Sequence, residues 1–239
     1  MYPDNVAFSD LDRLEDTIGM RFGDRALLQE ALVHSSFLNE NPDTVAHSNE
    51  RLEFLGDALL DLIVGEYLYQ RFPDVDEGRL TSLRAALIKA DSLARFARKI
   101  QLGEFLLLSH GENESGGRAR AGLLSDAFEA LIAAIYLDGG LDTARRFVIG
   151  FIEPETTRVL EGGLDRDYKS QLQEWAQREL QATPVYRTVV ERGPDHAKEF
   201  TVEVLIAGKV YGRGEGPSKQ VAGRRAAEQA WKDMSRGEA

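Results

Sequence analysis

From the N-terminus to about residue 160, apolar side chains recur every three to four positions, the period of helices that bury one face. Ser9-Asp10-Leu11-Asp12 reads as a capping box, with Asp in place of the usual Glu, and opens a short helix. Further helical patterns cover residues 25–35, 49–71, 77–88, 91–101, 125–137 and 141–160, with Gly139-Gly140 as a stop before the last. Alternation of period two is nearly absent here, so this stretch predicts an all-α domain. After Glu161-Gly162-Gly163-Leu164-Asp165 the period changes. Residues 168–180 read as a helix, and 185–191, 199–206 and 209–213 as three short strands. Ala207-Gly208 makes a tight turn between the last two strands, and Ser218 caps a final helix ending near residue 234. The expected organisation is multidomain: an all-α domain (1–160), a flexible linker (161–165) and a small α-β-β-β-α domain of the α+β class (166–239).

Charge changes the picture in two ways. The formal net charge of −11 argues, taken alone, against a nucleic-acid partner. The average hides a split: residues 165–239 carry 13 Lys and Arg against 12 Asp and Glu, whereas residues 1–164 carry 16 against 28. One part is strongly acidic and the other nearly neutral, which suits two separate tasks. With no cysteine, a disulfide framework, thiolate zinc sites, iron–sulfur clusters and cysteine nucleophiles are excluded. The acidic, polar N-terminus does not read as a signal peptide, and no apolar run reaches the length of a membrane span. A cytoplasmic protein without membrane contact is the expectation.

The helical pattern over residues 49–71 is apolar on most of its circumference (Leu52, Phe54, Leu55, Ala58, Leu59, Leu60, Leu62, Ile63, Val64), which predicts a buried helix. Glu50, Glu53, Asp57 and Asp61 interrupt it at helical spacing and so share one stripe. A solvated acidic face explains the spacing alone equally well. Against it stand the apolar surroundings and a second apolar helix, Ser125 to Tyr136, broken only by Asp126 and Glu129. Two such helices with oxygen ligands and no thiols suit a hard divalent cation, Mg²⁺ or Mn²⁺. His34, His47, His110 and His196 show no zinc-ligand spacing. Two such cations, about 4 Å apart, can activate a water and stabilise the leaving oxygen of an in-line displacement at phosphorus. His110-Gly111-Glu112-Asn113-Glu114-Ser115-Gly116-Gly117 lacks the Lys-Ser/Thr of a P-loop, so no nucleotide cofactor is expected. It reads as a flexible connector, with a substrate-facing role as the alternative. No nucleophile-elbow pattern supports acyl transfer.

In the C-terminal part, Lys219 begins a helix, where backbone amides already favour anions, and Arg224 and Arg225 follow about a turn later. A phosphate-gripping surface and a merely solvated cationic helix explain these charges about equally well. Gly193-Pro194-Asp195-His196-Ala197-Lys198 reads as a projecting loop. Tyr186 alone makes no stacking platform for single strands.

Asn49-Glu50-Arg51-Leu52-Glu53-Phe54-Leu55-Gly56-Asp57 resembles the signature of the ribonuclease III family. Leu124 to Ala130, with Ile135 to Gly140, resembles that family's second acidic motif, and residues 165–234 resemble a double-stranded RNA-binding domain. The resemblance implies an Mg²⁺-dependent endoribonuclease acting on double-stranded RNA, with Mn²⁺ as a substitute. It implies a homodimer, 5′-phosphate and 3′-hydroxyl ends with short 3′ overhangs, and ribosomal, messenger and transfer RNA precursors as substrates. Asp57 and Glu129 then match the catalytic pair; Glu53, Asp126 and Glu129 match metal ligands; Glu50 and Glu77 match supporting acids. Phe54 matches a residue that plugs into the partner subunit. Ser170, Gln173, Glu174, His196 and Lys219 match RNA-contacting positions. The chain departs from the family's basic KKxAK pattern at Gln220 and Gly223, and Arg224 and Arg225 are the expected replacements. Asp61 matches no family motif. A double-stranded RNA-binding protein that does not cut is the alternative, and retention of all four carboxylates weighs against it.

Overall fold

The structure is a computed structural model and describes residues 8–43, 46–161, 168–194 and 198–235. It divides into two compact units, residues 1–165 and 166–239; most of the expected linker lies outside the described residues. The N-terminal unit is helical: α1 (Phe8–Ile18), α2 (Arg25–Leu32), α3 (Ser35–Glu40), α4 (Glu50–Arg71), α5 (Glu77–Ile88), α6 (Ala90–Lys99), α7 (Leu102–Phe105), α8 (His110–Glu114) and α9 (Ala121–Glu161). α1 begins before the predicted capping box, so Ser9 falls inside it. Asp24 and Asp76 cap α2 and α5 by accepting from the backbone N–H of Ala26 and Arg79. The predicted stop at Gly139-Gly140 is a break within α9, where Gly140 adopts φ +77°. The predicted loose connector is instead built into short structure. Ser109 caps α8, a 3₁₀ turn spans Gly117–Ala119, and Arg118 donates to the carbonyls of Gly103 and Glu104.

α9 is the spine of this unit. Leu124, Ala127, Phe128 and the run Ala130 to Ile135 are buried. Phe96, Phe128, Phe147 and Phe151 interlock around it with centroids 5.2–5.8 Å apart. α4 lies along α9 and buries Leu52, Leu59, Leu60, Ile63, Val64 and Leu68. The expectation of burial all round α4 is wrong: Phe54 is 82 %, Leu62 56 % and Tyr69 74 % exposed. The helix has an apolar side that α9 covers and a second apolar side that the other described residues of this unit leave exposed. Asp61 meets Arg84 at 3.5 Å.

The C-terminal unit holds α10 (Tyr168–Leu180), β1 (Val185–Arg192), β2 (Glu199–Ile206), β3 (Lys209–Gly216) and α11 (Lys219–Ser235). The strands form an antiparallel sheet in the order β1-β2-β3. Ala207 and Gly208 both take positive φ, as the predicted two-residue turn requires. Tyr168, Leu172 and Ala176 of α10 and Ala226, Ala227 and Ala230 of α11 pack with Val204 and Ile206. α11 approaches β3 so closely that a Cβ at Gly214 would lie 2.3 Å from the Ala222 carbonyl oxygen.

Candidate active site

The site begins where α4 crosses α9. A Cβ on Gly56 would lie 1.9 Å from the carbonyl oxygen of Glu129. Only glycine allows the two backbones to meet there. That contact sets Glu53, one turn before Gly56, and Asp57, beside it, against Asp126 and Glu129. Glu53, Asp126 and Glu129 each offer a carboxylate oxygen, and these oxygens lie within 4.8 Å of one another. Hence the two helices singled out in the sequence do bring their acids to one point.

The electrostatics are those of a site with little internal compensation. Burial, then Asp57, Asp126 and Glu53, push the Glu129 carboxyl up to about 8. Burial, followed by Asp126, Glu50 and Asp57, raises Glu53 as well. Burial also raises Asp126, partly offset by His34. No hydrogen bond or ion pair from the described residues reaches the carboxylates of Glu53, Asp57, Asp126 or Glu129.

Two other buried acids in the same unit show what structural carboxylates look like. Burial pushes Glu15 upward, but the Phe22 N–H, Arg25 and Arg21 outweigh it and hold the group below its ordinary value. Burial likewise opposes Glu155, and Arg158 and Arg95 overcome it. Acids meant to stay ionised inside this fold have arginines beside them; the Glu53–Asp126–Glu129 group has none. Its donor set is all oxygen, partly buried and convergent, which fits a hard divalent cation.

The remaining sequence candidates separate. Glu50 is exposed, accepts from the Ser48 hydroxyl at 3.0 Å and acts on Glu53. Glu77 is exposed in the first turn of α5 and contributes to none of these shifts. Phe54 projects from α4. Sequence reasoning passed over His34 except as an unlikely zinc ligand. It caps α3: Nδ1 accepts from the Ser36 N–H at 3.2 Å, and the His34 backbone N–H donates to the Leu107 carbonyl at 3.1 Å. A histidine outside any metal-ligand spacing gave no signal of this placement.

In the C-terminal unit, Ser170, Gln173 and Glu174 line one open depression on α10, about 550 Å³, together with Gln177 and Arg178. Lys219 stands at the start of α11, 3.6 Å from Glu191 and over the ring of Phe200. Arg224 and Arg225 do not extend its stripe: at about 100° per residue they lie about 140° and 120° away round the helix. Arg225 instead donates to the Glu215 carbonyl at 2.7 Å and lines a cleft with Arg192 and Arg213. His196 lies outside the described residues.

Comparison with known proteins is consistent across both units. A family model described as Ribonuclease-III-like matches residues 24–155, and one for the double-stranded RNA binding motif matches residues 168–234. A protein named Ribonuclease 3 from Roseiflexus sp. (strain RS-1) is 46 % identical over 222 residues, covering 92 % of this chain and 94 % of that protein. The chain belongs to the ribonuclease III family. Another Ribonuclease 3, from Enterococcus faecalis, is 44 % identical over 224 residues, covering 92 % of this chain and 96 % of its own. The solved nuclease domain of ribonuclease III from Campylobacter jejuni is 43 % identical, with a TM-score of 0.56, and covers 61 % of this chain and 97 % of that domain. The family assigns the chain an endoribonuclease activity and a double-stranded RNA-binding domain, and the carboxylate group lies within the Ribonuclease-III-like match. Among the described residues no helix is long and apolar enough to cross a membrane.

Proposed function

We propose that this ribonuclease III family member is an Mg²⁺-dependent endoribonuclease that cuts double-stranded RNA, with Mn²⁺ able to substitute. Its products are 5′-phosphate and 3′-hydroxyl ends with short 3′ overhangs, and its substrates are precursors of ribosomal, messenger and transfer RNA. The observation that carries this reading is the convergence of Glu53, Asp126 and Glu129 within 4.8 Å without a cationic partner. These three residues hold the metal. When bound, the metal supplies an activated water and stabilises the leaving oxygen of a phosphodiester.

The chain's own residues set the conditions. At neutral pH and without a cation, Glu129 holds a proton, because its pKa is about 8. That proton leaves as the site fills. Asp57 and Glu129 form the catalytic pair, and Glu50 and Glu77 support them. Asp57 raises Glu129 through space, so the two act as one electrostatic unit. The α10 surface with Ser170, Gln173 and Glu174, the loop carrying His196, and Lys219 face the duplex, with Arg224 and Arg225 adding charge nearby. Such a domain reads the shape of the duplex and its 2′-hydroxyls with a few phosphate contacts, so it does not require a strongly basic chain.

The working unit is a homodimer. Phe54, Leu62 and Tyr69 leave an apolar side of α4 uncovered, and a second copy covers it. A region of the related Campylobacter jejuni nuclease domain is likewise involved in dimer formation.

Incubation with a long duplex RNA, with and without Mg²⁺, tests the reading. Discrete short duplexes with 5′-phosphates are expected only when Mg²⁺ is present. A duplex bound but uncut in Mg²⁺ and in Mn²⁺ would reduce the protein to a binding module.

A further inference from the structure

The KKxAK departure leaves an unanswered question of charge. Gly223 stands where the family pattern has a lysine, and Arg225 turns away to the Glu215 carbonyl. Glycine inside a helix weakens it, so its presence at the buried position 223 needs a reason. The neighbourhood supplies one. A Cβ at Gly223 would meet Lys169 Nζ at 3.2 Å and Lys169 Cε at 3.3 Å. The ammonium of Lys169, reaching across from the first turn of α10, therefore occupies the space that a side chain at 223 would claim. The ring of Tyr186 lies 4.5 Å from the same ammonium and steadies it. Position 223 is one turn beyond Lys219, on the same stripe of α11.

We propose that Lys169 is a phosphate-binding residue of the duplex-RNA face, its ammonium seated over Gly223 in place of the lysine that α11 lacks. The positive charge has moved from α11 to α10 without leaving its position in space. The ligand is a backbone phosphate of double-stranded RNA. This rests on the reading of the C-terminal unit as the RNA-binding surface.

The test uses the full chain in EDTA, a duplex RNA of about 16 base pairs, the length such a domain spans, and a titration of KCl. Lys169→Ala is expected to weaken binding by about three- to tenfold. It should also lower the slope of log affinity against log salt by about 0.9, the loss of one phosphate contact. The double variant Lys169→Ala/Gly223→Lys is expected to recover both, because truncating Lys169 removes the two tightest contacts of a Cβ at 223 and leaves Tyr186 Cδ1 next, at an ordinary 3.7 Å. Lys219→Ala, measured alongside, reports on the surface itself. If Lys219→Ala weakens binding while Lys169→Ala leaves the salt slope unchanged, the proposal is overturned and the RNA-binding surface stands. If affinity falls with Lys169→Ala and the double variant does not restore it, Lys169 merely rivets α10 to Tyr186, and the proposal fails again. If neither lysine matters, the surface has been assigned to the wrong place, and the proposal falls with it.

Discussion

The two units use charge in opposite ways. In the N-terminal unit, the three carboxylates of Glu53, Asp126 and Glu129 converge from two helices in a half-buried place with no arginine or lysine paired to them among the described residues, and their fields add to that of the exposed Asp57. In the C-terminal unit, Lys169, Lys198 and Lys219 sit at intervals on an accessible surface, near carboxylates and aromatic rings. Low dielectric makes the first arrangement strong, pH-dependent and intolerant of single changes. Water and salt make the second weak per residue, nearly additive and salt-dependent. Removing one acid from the first should therefore abolish an activity, whereas removing one base from the second should only tilt an equilibrium.

The largest expected effect is that of Glu129→Gln. On the proposed function it removes a metal ligand but no RNA contact, so cleavage of duplex RNA should fall by at least about a thousandfold. Binding measured by filter retention should stay within a few-fold. A variant that still cut at the normal rate would show that the converging acids are not the centre, and the contrast between the units would disappear.

Gly56→Ala comes next, because it attacks the crossing rather than the acids. The added methyl would overlap the Glu129 carbonyl, and neither helix backbone can move without disturbing the α4–α9 core. Overpacking of this kind costs about 1–3 kcal/mol. The thermal midpoint of the N-terminal unit should drop and its Mg²⁺ affinity should weaken, with the RNA affinity of the C-terminal unit unaffected. An unchanged midpoint would mean the helices have slack at their closest approach.

A smaller, graded effect concerns pH. In the absence of metal, the folded pKa of Glu129 is about 8, above its ordinary 4.5. Between these values the native state binds more protons than the unfolded chain, so stability falls as pH rises through this window. Raised values for Glu53 and Asp126 act in the same sense. Glu15 and Glu155, held low by arginines, lose their contribution only in acid, below the ordinary carboxylate range. In EDTA the melting temperature should therefore decline from pH 5.5 to pH 8.5, and millimolar Mg²⁺ should remove most of that decline. A flat profile without metal would contradict the unrelieved repulsion inferred here.

Much of this was legible in the sequence for simple reasons. Helical period, period-two strands and the glycines of the α9 break are local signals, and they placed the longer elements within a few residues, while the short α3, α7 and α8 went unread. The acids were legible because charge on an apolar helix is conspicuous. What escaped reading was tertiary. Gly56 looks like any helical glycine until α9 lies against it. Leu62 read as core because a helical wheel records hydrophobicity, not which side a neighbour covers. Arg224 and Arg225 looked like the missing lysines because they are near in sequence, while Lys169, 54 positions before Gly223, is near in space. The glycine-rich segment at 110–117 looked loose because its order comes from Arg118 and Ser109 bonds that no local pattern announces.

The smallest expected effect belongs to Glu191. Its carboxylate accepts from Lys198 at 3.1 Å and lies 3.6 Å from Lys219. The Lys198 hydrogen bond holds it below its ordinary value, so it stays charged through the neutral range. A duplex phosphate approaching Lys219 must compete with this anion. Glu191→Gln should therefore tighten RNA binding about two- to threefold at low salt, an advantage that fades as salt screens the lysine–carboxylate attraction. Cleavage at saturating RNA should be unchanged, because the acids of α4 and α9 are untouched. Weaker binding at low salt would mean that Glu191 orders the two lysines for the phosphate rather than competing with it. The surface would then share some of the interdependence found at the carboxylate centre, instead of behaving as a set of independent charges.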